Sequence, residues 1–461
     1  MASHRKLIGL VLLLLFLPLS VYLVFQITHF FGKASGVSAN LIIDTGSSFS
    51  VPGGVWRNLA QGGEEKGRMF LSIIDKVSAL KPEYIRIDHV FDGYDVVKKD
   101  PSGNLSFDWS RLDLTLSDIE KTGAKPFISI SYMPPVISRG DIIDLPVSWN
   151  DWEASCQALI EHISGKGNLN TTQVYYEVWN EPDLFGSFKT YGDKNYLELY
   201  SHTVVAANRA SGVNSFKIGG PATTGFYRNW FTAFIKLVKE GNLRLDFLSW
   251  HKYSMDMDEY LSDSLEAKKM LEDAGLDESI ELLITEAGPD SENNPIYDTG
   301  FSAIHTLALG SVLEGNINRL FGFEIKDGPG EKKLWGRWGI LTHEKFGQPE
   351  EKPRYRALGF LNKMSGNKVN VAGLGTWVKA FAKEGEGIVK TLVVNYDPSG
   401  KHYEAVPMTF INLPSGVFMF KRTNFAGGIT EINVATTSAA WSTLQEFQPN
   451  SAAIFEIIPV K

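Results

Sequence analysis

One cysteine, Cys156, is present in 461 residues, so no internal disulfide can form. The chain also lacks any block of Lys and Arg interleaved with aromatics, and its formal net charge is -8, which argues against a nucleic-acid partner. No His, Cys and Asp cluster has the spacing of a metal site, and no Gly-rich segment follows a strand as a phosphate cradle would. Neither a metal nor a cofactor is therefore expected. Internal repeats and long low-complexity linkers are missing too, so separate folded parts should pack together. Aromatic residues, in contrast, are plentiful, with 28 Phe, 16 Tyr and 11 Trp. Most of them are expected in the core, although exposed rings stack well on the C–H faces of sugars.

The N-terminus has the one long apolar run. Arg5 and Lys6 precede Leu7 to Ile27, close to the ~20 residues that span a bilayer as a helix. Two cations before the run and only Lys33 shortly after it place the start on the cytoplasmic side. A single-pass anchor over residues 1–35 is the expectation, with everything later outside the cell membrane. A cleaved signal peptide, which would make the protein secreted, is the alternative, with small residues only at Ala34-Ser35-Gly36.

From residue 55 to 364, short apolar runs alternate with amphipathic stretches, the pattern of βα units around a parallel sheet. Strands are predicted at 55–61, 83–88, 125–131, 174–180, 216–220, 245–251, 280–286 and 318–325. Helices are predicted from Arg68 to Leu80, Trp109 to Thr122 behind Asp108 as N-cap, and Asp193 to Ala210. Eight such units make an α/β fold of the (β/α)8, or TIM barrel, type, with its chemistry at the C-terminal ends of the strands. Residues 365–461 turn to alternating strands separated by Gly-, Pro- and Asp-rich turns, and are predicted to form an antiparallel β-sandwich. Residues 36–54 should link the anchor to the barrel, with Asn40 to Thr45 adding a strand to that sandwich.

Two strands end on a carboxylic acid. The run Val174-Tyr175-Tyr176-Glu177-Val178-Trp179-Asn180-Glu181-Pro182 carries Glu181 past predicted strand four, and Glu281-Leu282-Leu283-Ile284-Thr285-Glu286 carries Glu286 at strand seven. Cleaving a glycosidic bond takes two carboxyl groups, one giving and taking a proton and the other attacking or activating water. Glu177 shares a side with Glu181 if strand alternation holds, and reads as structural. Arg86 is the sole cation in an apolar second strand, Tyr84-Ile85-Arg86-Ile87. His251 and Tyr253 end strand six on one face. His89 and Asp92, after strand two, and Trp335 and Trp338, after strand eight, are candidates to line a sugar site.

Together these segments resemble the retaining glycoside hydrolases of clan A, and within them family 39, a group of β-xylosidases, α-L-iduronidases and exopolysaccharide hydrolases. The resemblance covers roughly residues 40–460. It rests on Trp179-Asn180-Glu181-Pro182-Asp183, Ile284-Thr285-Glu286, Ser249-Trp250-His251-Lys252-Tyr253 and Gly219-Gly220-Pro221-Ala222. It implies that Glu181 is the acid/base and Glu286 the nucleophile, that Asn180 bonds the sugar 2-hydroxyl, and that Arg86 and Tyr253 hold the nucleophile ionised. Departing from the xylosidase and iduronidase branches, Glu286 is followed by Ala287-Gly288-Pro289 rather than by Trp and a polar residue. Small residues there suit an open cleft, and with the anchor they suggest double-displacement hydrolysis of an extracellular oligo- or polysaccharide. An exo-acting β-xylosidase-like enzyme, a transglycosylase and a non-catalytic surface carbohydrate-binding protein are the alternatives. The oligomeric state is not legible. Retention requires the two carboxyl groups to lie about 5–5.5 Å apart.

Overall fold

The computed structural model describes residues 36–50, 53–63, 65 and 67–460. The expected anchor at 1–35 thus falls outside the described residues, among which no helix is long and apolar enough to cross a membrane. After β1 (Leu41–Phe49) come β2 (Asn58–Gln61) and β3 (Tyr84–Ile87). A two-stranded ribbon of β4 (Val97–Lys99) and β5 (Leu105–Phe107) follows. The next strands are β6 (Lys125–Ile130), β7 (Tyr175–Val178), β8 (Lys217–Thr223), β9 (Phe247–Tyr253), β10 (Glu281–Gly288) and β11 (Arg319–Phe323). Apart from β1 and the ribbon, these eight strands pair in parallel and close in the order β10-β11-β2-β3-β6-β7-β8-β9. The expected barrel is present, and all eight predicted runs coincide with its strands.

Helices α1 (Ile74–Ala79), α2 (Ser110–Lys121), α3 (Trp149–Ile163), α4 (Tyr196–Arg209), α5 (Arg228–Gly241), α6 (Met257–Ala274), α7 (Gly300–Leu313) and α8 (Pro353–Leu361) lie along the chain between and after the barrel strands. Their starts follow local chemistry. The Asp108 side chain accepts from the Ser110 amide (3.0 Å) and Asn195 accepts from the Leu197 amide (3.0 Å), each satisfying an N–H that an open helix end leaves unpaired. The helix predicted from Arg68 is shorter, because residues 69–73 form turns and only Ile74–Ala79 is regular. Cys156 is buried within α3.

Two apolar layers position the site. Outside the barrel, Val77, Ile119, Leu159, Val204, Phe234 and others pack the helices onto the strands. Inside, Tyr84, Phe127, Tyr175, Phe247, Leu283 and Phe321 form a plug of rings, with Phe127 and Phe321 centroids 4.8 Å apart. Because β side chains alternate, the next inward positions toward the strand ends are Arg86, Ser129, Glu177 and Ser249. Polar groups are thereby forced into one layer above an apolar floor.

The C-terminal strands are β12 (Asn367–Ala372), β13 (Val378–Gly385), β14 (Ile388–Asn395), β15 (Glu404–Ile411), β16 (Gly416–Asn424), β17 (Ile429–Thr436), β18 (Ala440–Phe447) and β19 (Ser451–Pro459). They differ from the expected antiparallel sandwich in being one hydrogen-bonded sheet, β17-β16-β19-β14-β13-β12-β1-β15-β18, that curls around its own core. Phe410 and Trp441 at one end meet Phe418 and Phe420 at the other. The pairing is also not wholly antiparallel. β1 runs antiparallel to β12 but parallel to β15, since a strand arriving from before the barrel enters with its own direction.

A buried ion pair fastens the sheet to the barrel. Lys383 Nζ on β13 lies 2.6 Å from Glu314 Oε1 at the end of α7, and Glu314 Oε2 also accepts from the Val55 amide (3.2 Å). Removing one partner of such a pair strands the other's charge, at a cost of about 3–5 kcal/mol. Lys383→Met is accordingly expected to lower the thermal midpoint strongly, and an unchanged melting curve would show that the pair does not fasten the two parts.

Candidate active site

The polar layer is organised by Arg86, whose side chain is wholly buried. Its Nε donates to Glu177 Oε2 (2.7 Å), Nη1 to Glu286 Oε1 (2.9 Å) and Nη2 to Asn180 Oδ1 (2.7 Å). Burial alone would lower the pKa of this guanidinium, but Glu177, Glu286 and Asp88 outweigh it and raise the pKa above the ordinary value. Glu177 is thus structural: it sits below the cavity as a counter-ion.

Glu286 reaches this position through a bulge. The pairing of β10 with β9 passes from Ile284 opposite Trp250 directly to Glu286 opposite His251, leaving Thr285 as an extra residue. Leu283 faces the barrel interior, so regular alternation would turn Glu286 outward; the extra residue turns it in. There its Oε2 accepts from the Tyr253 hydroxyl (2.9 Å). Burial pushes the Glu286 carboxyl above the usual carboxylate pKa, and His251 and Arg86 pull it back.

Glu181 is placed by a different device. Alternation along β7 stops at Val178, because Trp179 (φ 72°) and Glu181 (φ 46°) adopt left-handed backbone. The expectation that Glu177 and Glu181 share a face by alternation therefore does not hold, since Glu181 lies beyond the strand. Its amide donates to Ala222 O (2.9 Å), at a second bulge where β8 meets β9. This close approach of β8 suits Gly219, where a Cβ would come 2.1 Å from Phe247 O.

His251 stands between the two acids. Nδ1 lies 2.8 Å from Glu181 Oε1 and 3.5 Å from Glu286 Oε2. Burial lowers its pKa, but the two carboxylates outweigh this and raise it. One oxygen of each acid and an imidazole nitrogen lie within 4.8 Å of one another. On spacing alone this trio suits a cation, as does Glu65 with His343 and Glu344. In the second group, however, the Lys326 ammonium already lies 3.2 Å from Glu65 and 2.8 Å from Glu344. In the first, Arg86 and Tyr253 already donate to Glu286, a proton-handling arrangement.

Asn180, Glu181, Glu286, Tyr253 and His89 line one cavity of about 1000 Å³ at the C-terminal ends of the strands. His89 is held by Asp92 (Nδ1 to Oδ2, 2.8 Å) and meets the Tyr132 ring edge-on. Trp338 lines the cavity and Trp335 does not. The Trp335 ring covers Gly330 instead, while Arg337 lies over the Trp338 ring at 3.7 Å. The small residues after Glu286 do not open a cleft: Ala287 is buried against the helices, and Gly288 has Tyr297 and Tyr253 over it. Sequence reasoning missed Tyr132, whose hydroxyl accepts from Asn180 Nδ2 (2.8 Å), and Asp88, Lys252 and Glu292, which also line the cavity. Reading the first two residues past each strand end would have found Tyr132 and Asp88.

A closed eight-stranded barrel with two acids, an Arg, a His and a Tyr gathered at its C-terminal mouth defines a glycosidase-type site. The chain belongs to "Glycosyl hydrolases family 39", whose family model matches residues 71–390. It is similar to a β-xylosidase of Caldicellulosiruptor saccharolyticus (26% identity over 320 residues, 63% of either chain). A β-xylosidase of Geobacillus stearothermophilus is also 26% identical, over 56% of each chain. The chain thus spans less than two thirds of the length of these relatives. Among solved structures, a monomeric β-xylosidase from Caulobacter crescentus CB15 superposes with a TM-score of 0.73 at 18% identity, covering 92% of this chain and 100% of the other. At that identity the likeness establishes the fold.

The pH dependence follows from Glu286. If Glu286 is the attacking group it must be ionised, so kcat/KM should fall as pH drops through its raised pKa, with the acid limb above the value of about 4.3 of a free glutamate. Tyr253→Phe removes a donor to the charged form, raising that pKa further. It should lower kcat/KM roughly 10- to 100-fold and move the acid limb to higher pH. An unmoved limb in a pH–rate profile would mean that Tyr253 does not support the charge.

Proposed function

We propose that the chain is a retaining glycosidase in which Glu286 attacks the anomeric carbon and Glu181 serves as acid/base. The observation that carries this reading is the mutual closeness of their oxygens, within 4.8 Å. Oxygens this close favour the short carboxyl separation of a direct nucleophile, about 5–5.5 Å, over the about 6.5–9.5 Å by which inverting enzymes make room for a water.

The steps follow from the hydrogen bonds. Arg86 and Tyr253 fix both Glu286 oxygens, holding the carboxylate ionised and aimed. As the C–O bond breaks, Glu181 gives its proton to the leaving oxygen while Glu286 forms the glycosyl ester. The one negative charge so moves from Glu286 to Glu181, and His251 stands beside it in both states. Water then enters, loses its proton to Glu181 and releases the sugar. Asn180, held by Arg86 and Tyr132, suits a bond to the 2-hydroxyl, which strengthens as positive charge grows on the ring.

The relatives named as β-xylosidases make an aryl β-xyloside the first substrate, and a cavity of about 1000 Å³ has room for more than one sugar. An oligo- or polysaccharide outside the cell remains part of this proposal through the apolar run at residues 7–27.

Proton NMR of the first-formed product should reveal retained anomeric configuration; inversion would remove Glu286 as nucleophile. Glu286→Gln should abolish turnover in a protein that still folds, because Glu177 remains as counter-ion to Arg86. Glu181→Ala should lower kcat by about 10²–10⁴-fold on substrates with poor leaving groups and far less on activated aryl glycosides.

A further inference from the structure

Asp88 stands out among the groups that the proposed chemistry leaves unused. It follows Arg86 by two residues, one past the end of β3, lines the cavity with Glu286, and is only 6% exposed. Its Oδ1 is sealed in the wall without a hydrogen-bond partner, which leaves the other carboxylate oxygen as the one a ligand in the cavity can reach. A carboxylate so far from water needs donors, and an unmet acceptor of this kind is costly. Its neighbour His89 is taken up by Asp92.

Acids outnumber cations in the rest of the wall. Glu181, Asp183, Glu286 and Glu292 join Asp88 as lining acids. The lining ammonium, Lys252 Nζ, already lies 3.0 Å from both Glu259 and Asp263. A sugar bringing its own carboxylate would meet like charges and, among the described lining residues, no free lysine or arginine. A neutral sugar brings hydroxyl donors, which Asp88 lacks.

Resting on the retaining-glycosidase reading, we propose that Asp88 accepts hydrogen bonds from ring hydroxyls of the sugar bound against Glu286. It thereby selects a neutral glycone and rejects a uronic acid. The assignment to that sugar follows from the cavity wall that Asp88 shares with Glu286, whose carboxylate Arg86 holds two residues earlier in the chain.

The test compares wild type, Asp88→Asn and Asp88→Ala on 4-nitrophenyl β-xyloside, its 3-deoxy and 4-deoxy analogues, and 4-nitrophenyl β-glucuronide. Asp88→Ala should lower kcat/KM on the parent xyloside about 10- to 100-fold, the range for a hydrogen bond to a charged group. At least one deoxy analogue should be poor with wild type and no poorer with Asp88→Ala, the non-additivity expected of partners in contact. Asp88→Asn should narrow the preference for xyloside over glucuronide by about tenfold or more, since it removes one charge from the wall. Equal losses on parent and both deoxy analogues would overturn the assignment in favour of a role through Arg86, and so would undiminished activity of a folded Asp88→Ala. Should wild type release nitrophenol from no aryl glycoside, the functional reading falls and Asp88 with it; the Asp88 variants alone decide the narrower point.

Discussion

Everything at the mouth of the barrel depends on one guanidinium. Arg86 leaves β3 and ties together the end of β7 and the bulged β10 through three directed bonds. Arg suits this place because its planar fork can address three acceptors at once, where a lysine offers a point charge. Burying it is tolerable because anions surround it. In turn it makes tolerable the burial of Glu177 and Glu286, either of which would be costly alone. The acids cannot be read as independent residues placed in a cleft; they are members of a charge cluster that a barrel interior accepts only as a whole.

The cluster also explains why the site sits on a rigid floor. The rings of Tyr84, Phe127, Tyr175 and Phe247 exclude water from below, so the charges above them are screened only from the cavity side. Low polarisability beneath the site strengthens each hydrogen bond in it. A substrate that displaces cavity water strengthens them again.

Much of this was legible in the sequence. Short apolar runs and their spacing marked all eight barrel strands, because a strand buried on both faces has little freedom of composition. Glu181, Glu286, Arg86, His251 and Tyr253 were legible because each polar residue interrupts an apolar strand end. What was hidden are departures from regular backbone. Nothing in Ile284-Thr285-Glu286 announces the extra residue that turns Glu286 inward, and nothing in Trp179 announces its left-handed conformation. Trp335 and Trp338 are chemically alike, and only their places in the loop, one over Gly330 and the other on the cavity wall, tell them apart. The curled single sheet was likewise hidden, since alternation marks strands but not which edges join.

Strand β1 lies between β12 and β15, interior to a sheet whose other members all follow the barrel. Topologically, then, the barrel is an insertion into the sheet, placed between its first strand and its second. Ribosomal synthesis makes β1 early, yet its hydrogen-bonding edges stay unmet until more than three hundred further residues have emerged, and by then the barrel's own strands are complete. Assembly ends where the chain began, and the sheet acts as a clasp that closes over a finished catalytic body.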